Sequence, residues 1–321
     1  MTRFLGIDGG GTHTRAVLVD AEGRILRAAT GASINPRHYG RDVLRSRLEA
    51  LVDPMDEARG GIDAAFLALG GISTAADAAE VAAIALDVPA LASARVTVDN
   101  DAIGALAGGL AGRPGMVLIA GTGSACLGIA ADGTRWWCGG WEALADDGGS
   151  AYWMAVEAIR SAVRQEDGRV PAGALRDLVF TRWDLAEPRA LAERLTRPDV
   201  DRAAVASLAP HVIALAATDA EASRIVARAV DELAQLVAVT AGKAFGGGPC
   251  ELILTGGLAN SGPPFTPMLL ARIAEATTGV SVVPPELPPA FGSVIEAMKT
   301  LGVQPGAGCL ARLRAQAVDL R

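Results

Sequence analysis

The sequence predicts an α/β protein of two similar domains, each a mixed sheet with helices on its faces. Two observations predict it. The apolar run 4–7 ends in Asp8, three glycines and Thr12, and a second apolar run, 16–19, follows at once. A third strand and then strand–helix alternation complete the pattern of a mixed sheet. The same order restarts in the second half: residues 116–120 lead into Gly121-Thr122-Gly123-Ser124, then a returning strand at 125–130 and another at 134–138. A shift of 110 residues superposes Gly11-Thr12 on Gly121-Thr122 and Gly23 on Gly133. The shared order of elements carries this repeat, because glycines coincide easily in a chain that has 38 of them.

Taken in order, residues 24–29 read as the third strand and Gly31-Ala-Ser-Ile-Asn-Pro36 as a polar loop. Val43, Leu44, Leu48, Leu51 and Val52 recur at helical spacing and predict a helix that buries all five. The unbroken apolar run 64–69 before Gly70-Gly71 predicts a strand covered on both faces. An alanine-rich helix at 75–86 and a strand at 95–99, ending in Asp99-Asn100-Asp101, follow. After a helix at 151–164, residues 165–210 carry Pro171, Pro188, Pro198 and Pro210 and predict a helical insertion. A long helix is expected at 220–244, a buried strand at 251–255 before Gly256-Gly257, a helix at 265–276, a strand at 280–283 and a helix at 290–301. The expected domains are 1–112 and 113–321, with the C-terminal helix free to return to the first.

A chain of 321 residues can build two cores. Its net charge of −7 argues against nucleic-acid binding, which needs a basic face, but not against a nucleotide at a local site. Four scattered cysteines with no C-x-x-C pair read as a reducing, cytoplasmic setting without a zinc site. No apolar run approaches the roughly 20 residues of a membrane span, and the first residues lack a signal pattern. The expectation is a cytoplasmic protein with neither nucleic-acid nor membrane partners.

The glycine turn carries the chemistry. Glycine lets backbone N–H groups crowd an anion because no Cβ intervenes, and Thr12 adds a hydroxyl donor. Asp8 would repel a phosphate unless a cation such as Mg²⁺ stood between them. There is no Gly-Lys-Ser/Thr for a P-loop, and Gly9-x-Gly11 runs into a strand rather than the helix of a dinucleotide fingerprint. Two such hairpins could grip one polyphosphate from both sides. An ordinary hairpin turn is the competing reading.

Other candidates each have a plainer alternative. Asp101 follows a strand, where open α/β sheets place ligands, and could align and deprotonate a hydroxyl; it could equally cap the helix starting at Ala102. Asn35 could bind sugar hydroxyls or serve the turn before Pro36. Trp141 could stack on a sugar or be core, and Asp147 could accept hydroxyls or form an Asp-Gly turn. Gly256-Gly257 fits an adenosine approached by backbone, or a strand-to-helix turn. His13, His38 and His211 form no constellation.

In combination, these segments resemble the sugar kinase, hexokinase, Hsp70 and actin superfamily, and within it the BadF/BadG/BcrA/BcrD family, most of all its N-acetylglucosamine kinases. Gly6-Ile-Asp-Gly-Gly-Gly-Thr12 is similar to the first phosphate motif, Ala120-Gly-Thr-Gly-Ser124 to the second, and Leu254-Thr-Gly-Gly257 to the adenosine motif. Asn100-Asp101-Ala102 resembles the segment that holds the catalytic base. Cys138-Gly-Gly-Trp141 and Asp147-Gly-Gly-Ser150-Ala-Tyr-Trp153 resemble the sugar-binding segments, and Asn35 the sugar-binding asparagine. The resemblance implies two actin/hexokinase-like (ribonuclease H-like) domains with a cleft between them, ATP and Mg²⁺ as cofactors, and an amino sugar as the small-molecule partner, with a homodimer left open. By the same resemblance Gly10, Gly11, Thr12, Gly121, Thr122, Gly123, Gly256 and Gly257 bind ATP, Asp8 meets the metal, Asp101 is the base, and Asn35, Gly140, Trp141 and Asp147 hold the sugar alongside it. The chain departs from the family pattern at Gly148, commonly Glu, and at Glu142, commonly Gly. An acidic residue near the sugar suits an ammonium group.

The function implied is phosphorylation of N-acetylglucosamine at the 6-position, with glucosamine as the alternative substrate. From another class, the family also contains ATP-driven activators of dehydratases and reductases, which bridge a dimer with an iron–sulfur cluster. Cys126 and Cys138 do not have that spacing. A sugar sensor with a decayed site is disfavoured by the presence of Asp8, Thr12, Asp101 and Thr122.

Overall fold

The computed structural model describes residues 2–56, 61–185 and 187–317. The chain divides into two units, Met1–Arg113 together with Pro284–Arg321, and Pro114–Val283.

The first unit opens with β1 (Arg3–Gly9), β2 (His13–Asp20) and β3 (Ile25–Ala32), then α1 (Arg41–Asp56), β4 (Ala64–Leu69), α2 (Ala75–Leu86), β5 (Arg95–Asn100) and α3 (Asp101–Gly109). The strands lie in the order β3-β2-β1-β4-β5; β1, β2 and β3 pair antiparallel, while β4 runs parallel to both β1 and β5. All six residues of β4 are buried, as a strand covered on both faces requires. A capping box between Thr74 and Asp77 starts α2. Leu44, Leu48, Leu51 and Val52 are buried along α1, but Val43 is 42% exposed, contrary to expectation. It sits one residue before Leu44, about 100° around the helix from it and on the side away from Leu48 and Val52.

The second unit holds β6 (Gly115–Ala120), β7 (Ser124–Ile129), β8 (Arg135–Gly139), α4 (Ala151–Glu166), α5 (Ala174–Arg182), α6 (Ala190–Leu195), α7 (Arg202–Ala206), α8 (Ala209–Leu215), α9 (Ala220–Phe245), β9 (Cys250–Thr255), α10 (Phe265–Ala276) and β10 (Val280–Val282). Its order is β8-β7-β6-β9-β10, with the same alternation of antiparallel and parallel pairs as in the first unit. The repeat expected from the glycine hairpins therefore extends to the whole sheet. The predicted insertion is four short helices, α5 to α8, packed with α4 and α9 around one apolar core.

The chain then returns to the first unit with α11 (Pro289–Thr300) and α12 (Ala307–Ala317). The second unit is thus shorter than 113–321, and the reason is close packing. A Cβ on Gly6 would lie 2.3 Å from the Ala290 carbonyl oxygen, and one on Gly292 would lie 1.9 Å from that of Gly104. The Ser293 hydroxyl donates to Ile7 O at 2.9 Å, within the core. Glycines on β1, α3 and α11 let backbones meet where any side chain would hold them apart. Among the described residues no single helix is long and apolar enough to cross a membrane.

Candidate active site

In the first unit the hairpin tip runs from Gly10 to His13, between the paired Gly9 and Thr14. Gly11 and Thr12 are exposed and Gly10 is half-buried. The Gly10 carbonyl accepts the Ser33 hydroxyl at 2.9 Å, and that same hydroxyl oxygen accepts the Asn35 amide at 3.3 Å. Neither Gly10 nor Gly11 has a positive φ, and a methyl group on Gly11 would stand in open space. The fold itself does not demand glycine there.

Asn35, Asp101 and the end of β1 converge on Gly70. A Cβ there would lie 3.3 Å from Asp101 Oδ2, 3.6 Å from Asn35 Nδ2 and 3.6 Å from Gly9 O. Gly71 has φ +92°, and a side chain on it would strike Asn35 Oδ1. The Gly70-Gly71 pair clears the space these two polar side chains occupy. Its signal in the sequence was a double glycine directly after a buried strand, but no role was assigned to it. Ser33 was missed as well, and a lone serine in a polar loop carries no signal.

Asp101 is the first residue of α3. The cap is Asn100, whose Oδ1 accepts the Ala102 amide at 2.9 Å while its Nδ2 donates to Ile72 O at 2.8 Å. Asp101 is therefore not needed as the cap. Burial pushes its carboxyl above the usual carboxylate range, against the pull of the Ala102 amide and its own. The Asp8 carboxyl is pushed up to about 6, first by burial and then by the charge of Asp101, with Arg15 opposing. Two like charges in partial burial make a place where a cation is favoured.

In the second unit the tip is three residues, Gly121 to Gly123, between the paired Ala120 and Ser124. Its carbonyls are held by the start of α4: the Ala151 amide donates to Gly121 O at 2.9 Å and the Tyr152 amide to Thr122 O at 3.3 Å. Gly256 stands against it, with φ +97° and its would-be Cβ 2.4 Å from Ala120 O. Gly257 beside it is open, with nothing within 4 Å of a Cβ. Gly256 is thus required by packing, and Gly257 is not. Asp147 is 3% exposed and has φ +57°, with Oδ2 3.2 Å from where a Cβ on Gly123 would sit. Burial pushes its carboxyl up, and the Arg202 guanidinium pulls it back only in part.

Gly140 is exposed with φ +73°, its amide donating to Ser124 O at 2.9 Å. Trp141 is 72% exposed, which removes the core reading of this side chain. Arg202, the first residue of α7, reaches back to this segment and was not anticipated. It bridges Glu142 and Asp147, one through each terminal nitrogen, and its guanidinium lies 5.4 Å from the Tyr152 ring centroid. The predicted residues thus form two groups, one in each unit: Asp8, the first tip, Asn35 and Asp101; and the second tip, Gly140, Trp141, Asp147, Gly256 and Gly257.

The model of the BadF/BadG/BcrA/BcrD ATPase family matches residues 5–297. An N-acetyl-D-glucosamine kinase of Dictyostelium discoideum is 29% identical over 57% of this chain and 61% of its own length. A glucosamine kinase of Vibrio cholerae is 30% identical over 57% of this chain and 62% of its own. The chain thus spans about three fifths of the length of these two relatives. A solved structure from Chromobacterium violaceum, provisionally named an N-acetylglucosamine kinase, has a TM-score of 0.68 at 22% identity, covering 92% of this chain and 98% of that one. The fold is accordingly of the actin/hexokinase-like kind, and one strand order is present in both units.

Proposed function

We propose that this chain, which belongs to the BadF/BadG/BcrA/BcrD ATPase family, is an ATP-dependent kinase that phosphorylates an amino sugar, N-acetylglucosamine at its 6-hydroxyl. The observation that carries this reading is Asp101, a carboxylate within the protein whose capping role is already filled by Asn100. Its raised affinity for a proton suits it to align a hydroxyl and take the hydroxyl's proton as the phosphoryl group transfers. Phosphoryl transfer asks little covalent chemistry of a protein, so positioning and charge do most of what is needed.

In this reading Asn35, Gly140, Trp141 and Asp147 hold the sugar. Gly10, Gly11, Thr12, Gly121, Thr122 and Gly123 offer amides and hydroxyls to the triphosphate, and Gly256-Gly257 offers open backbone to the adenosine. The residues fit Mg²⁺ carried in on phosphates rather than caged by protein. Asp8 and Asp101 are two mutually repelling carboxylates, and among the described residues no three His, Cys, Asp or Glu side chains gather around a common point. Asp8 would hold the ion, which when bound supplies positive charge to the triphosphate. The amino-sugar class is supported by the names of the two relatives. A cytoplasmic setting accords with such a substrate.

The test is ATP consumption by the purified chain against a panel of hexoses and amino sugars, with Asp101→Ala beside it. Turnover should appear with N-acetylglucosamine, the product should carry phosphate on the 6-oxygen by NMR, and Asp101→Ala should bind ATP without turning over. Near-normal turnover in that variant would sink the base assignment. Turnover with no sugar in the panel would sink the reading.

A further inference from the structure

The helical insertion reaches the loop of Glu142 and Asp147 through the side chain of Arg202. Arg202 sits 60 residues from Glu142 and 55 from Asp147 in sequence, yet its two terminal nitrogens bind one carboxylate each. Glu142 and Asp147 both have left-handed backbone, φ +71° and +57°, which non-glycine residues adopt at a cost. The segment between them is therefore a constrained loop with an arginine across its mouth. Asp201, the residue before, caps α7 through the Ala204 amide at 2.8 Å, so the base of this arginine is anchored. The third guanidinium nitrogen, Nε, is buried and has no hydrogen-bond partner among the described residues.

Charge gives the arrangement its meaning. Without Arg202 the Glu142 and Asp147 carboxylates would lose the cation they share. An ammonium-bearing sugar would then be favoured over one whose nitrogen is acylated and neutral. With Arg202 in place, one guanidinium is shared between the Glu142 and Asp147 carboxylates, and neither is left as an unmatched anion for an ammonium group. We propose that Arg202 is a specificity-determining residue that withdraws Glu142 and Asp147 from recognition of an ammonium group and so directs the site to N-acylated amino sugars. Glu142, which by resemblance suited an ammonium group, is then a partner of Arg202 rather than of substrate. This inference rests on the amino-sugar kinase reading above and deepens it.

The experiment is the ratio of kcat/KM for N-acetylglucosamine to that for glucosamine, measured in the full-length wild type, Arg202→Gln, Arg202→Lys and Glu142→Gln. Wild type should favour N-acetylglucosamine. Arg202→Gln should move the ratio toward glucosamine by about fivefold, since half-exposed charges interact weakly. Arg202→Lys should keep most of the wild-type ratio, because it retains the cation. A purely structural role would lower both activities together and leave the ratio alone, and that result overturns the proposal. Should Arg202→Gln fail to fold, the same change made in Glu142→Gln decides: with the cation gone and Asp147 unmatched, the ratio should still move toward glucosamine relative to Glu142→Gln alone. An equal ratio in those two variants overturns the proposal. A wild type that prefers glucosamine also overturns it while leaving the kinase reading intact, whereas a wild type inert toward every amino sugar removes both.

Discussion

In the first unit the hairpin tip spans four residues and hangs from the hydroxyl of Ser33; in the second it spans three and is seated on the opening amides of α4. The carboxylates beside the tips differ as well. Asp8 and Asp101 repel each other in partial burial, while Asp147 is already matched by Arg202. One strand order, built twice, thus supports a region where two carboxylates face each other and another where a carboxylate is offset in part by an arginine. The repeat is an architecture, and each copy carries its own electrostatics.

The strongest way to break this contrast is at the facing pair. Asp101→Asn should lower kcat by about a thousandfold, within the range for loss of a general base, while nucleotide affinity by calorimetry stays near wild type. The corresponding Asp147→Asn should act chiefly on the sugar KM, and equal kcat losses in both variants would erase the distinction.

Glycines separate next. Gly256→Ala combines a left-handed φ with a 2.4 Å collision and should cost roughly 3 kcal/mol of stability in a denaturant titration. Gly11→Ala meets nothing within 4 Å and should change stability by less than about 0.5 kcal/mol while raising the KM for ATP severalfold. A Gly11→Ala protein that binds ATP normally would mean the first tip is only a turn.

Asp8 gives a smaller effect with a defined direction. Its folded-state carboxyl lies near 6 against an ordinary 3.8, so between those values the folded chain binds more protons than the unfolded one. Stability of the nucleotide-free protein should therefore fall as pH rises through that window. Asp8→Asn should remove this dependence and be more stable near pH 7, by on the order of 2 kcal/mol, with the advantage gone near pH 4. Ser33→Ala should matter least, about 1 kcal/mol and a two- to threefold rise in the KM for ATP, from the lost support of Gly10.

What the sequence made legible was local or repeated. Residues 64–69 announced a covered strand by six consecutive apolar residues, and the two glycine tips announced the repeat by their order. What stayed hidden was long-range. Nothing near Arg202 marks it out from the chain's other arginines, because the geometry that joins it to Glu142 and Asp147 is made by the packing of α7 against α4. Gly6 lies in the segment that resembles the first phosphate motif, yet the structure ties its lack of a side chain to the Ala290 carbonyl, almost three hundred residues away. The choice of Asn100 over Asp101 as the cap was equally undecidable, since both residue types serve that role.

The return of α11 to the first unit has a consequence for synthesis. Strand β1 leaves the ribosome before residues 114–283, but Ser293, which binds the Ile7 carbonyl, leaves after them. Residues 114–283 can complete their sheet before α11 is made, whereas β1 waits for its covering helix until all of them have been synthesised. A nascent chain stalled near residue 283 should therefore protect the later-made sheet from protease and leave the earlier-made one open.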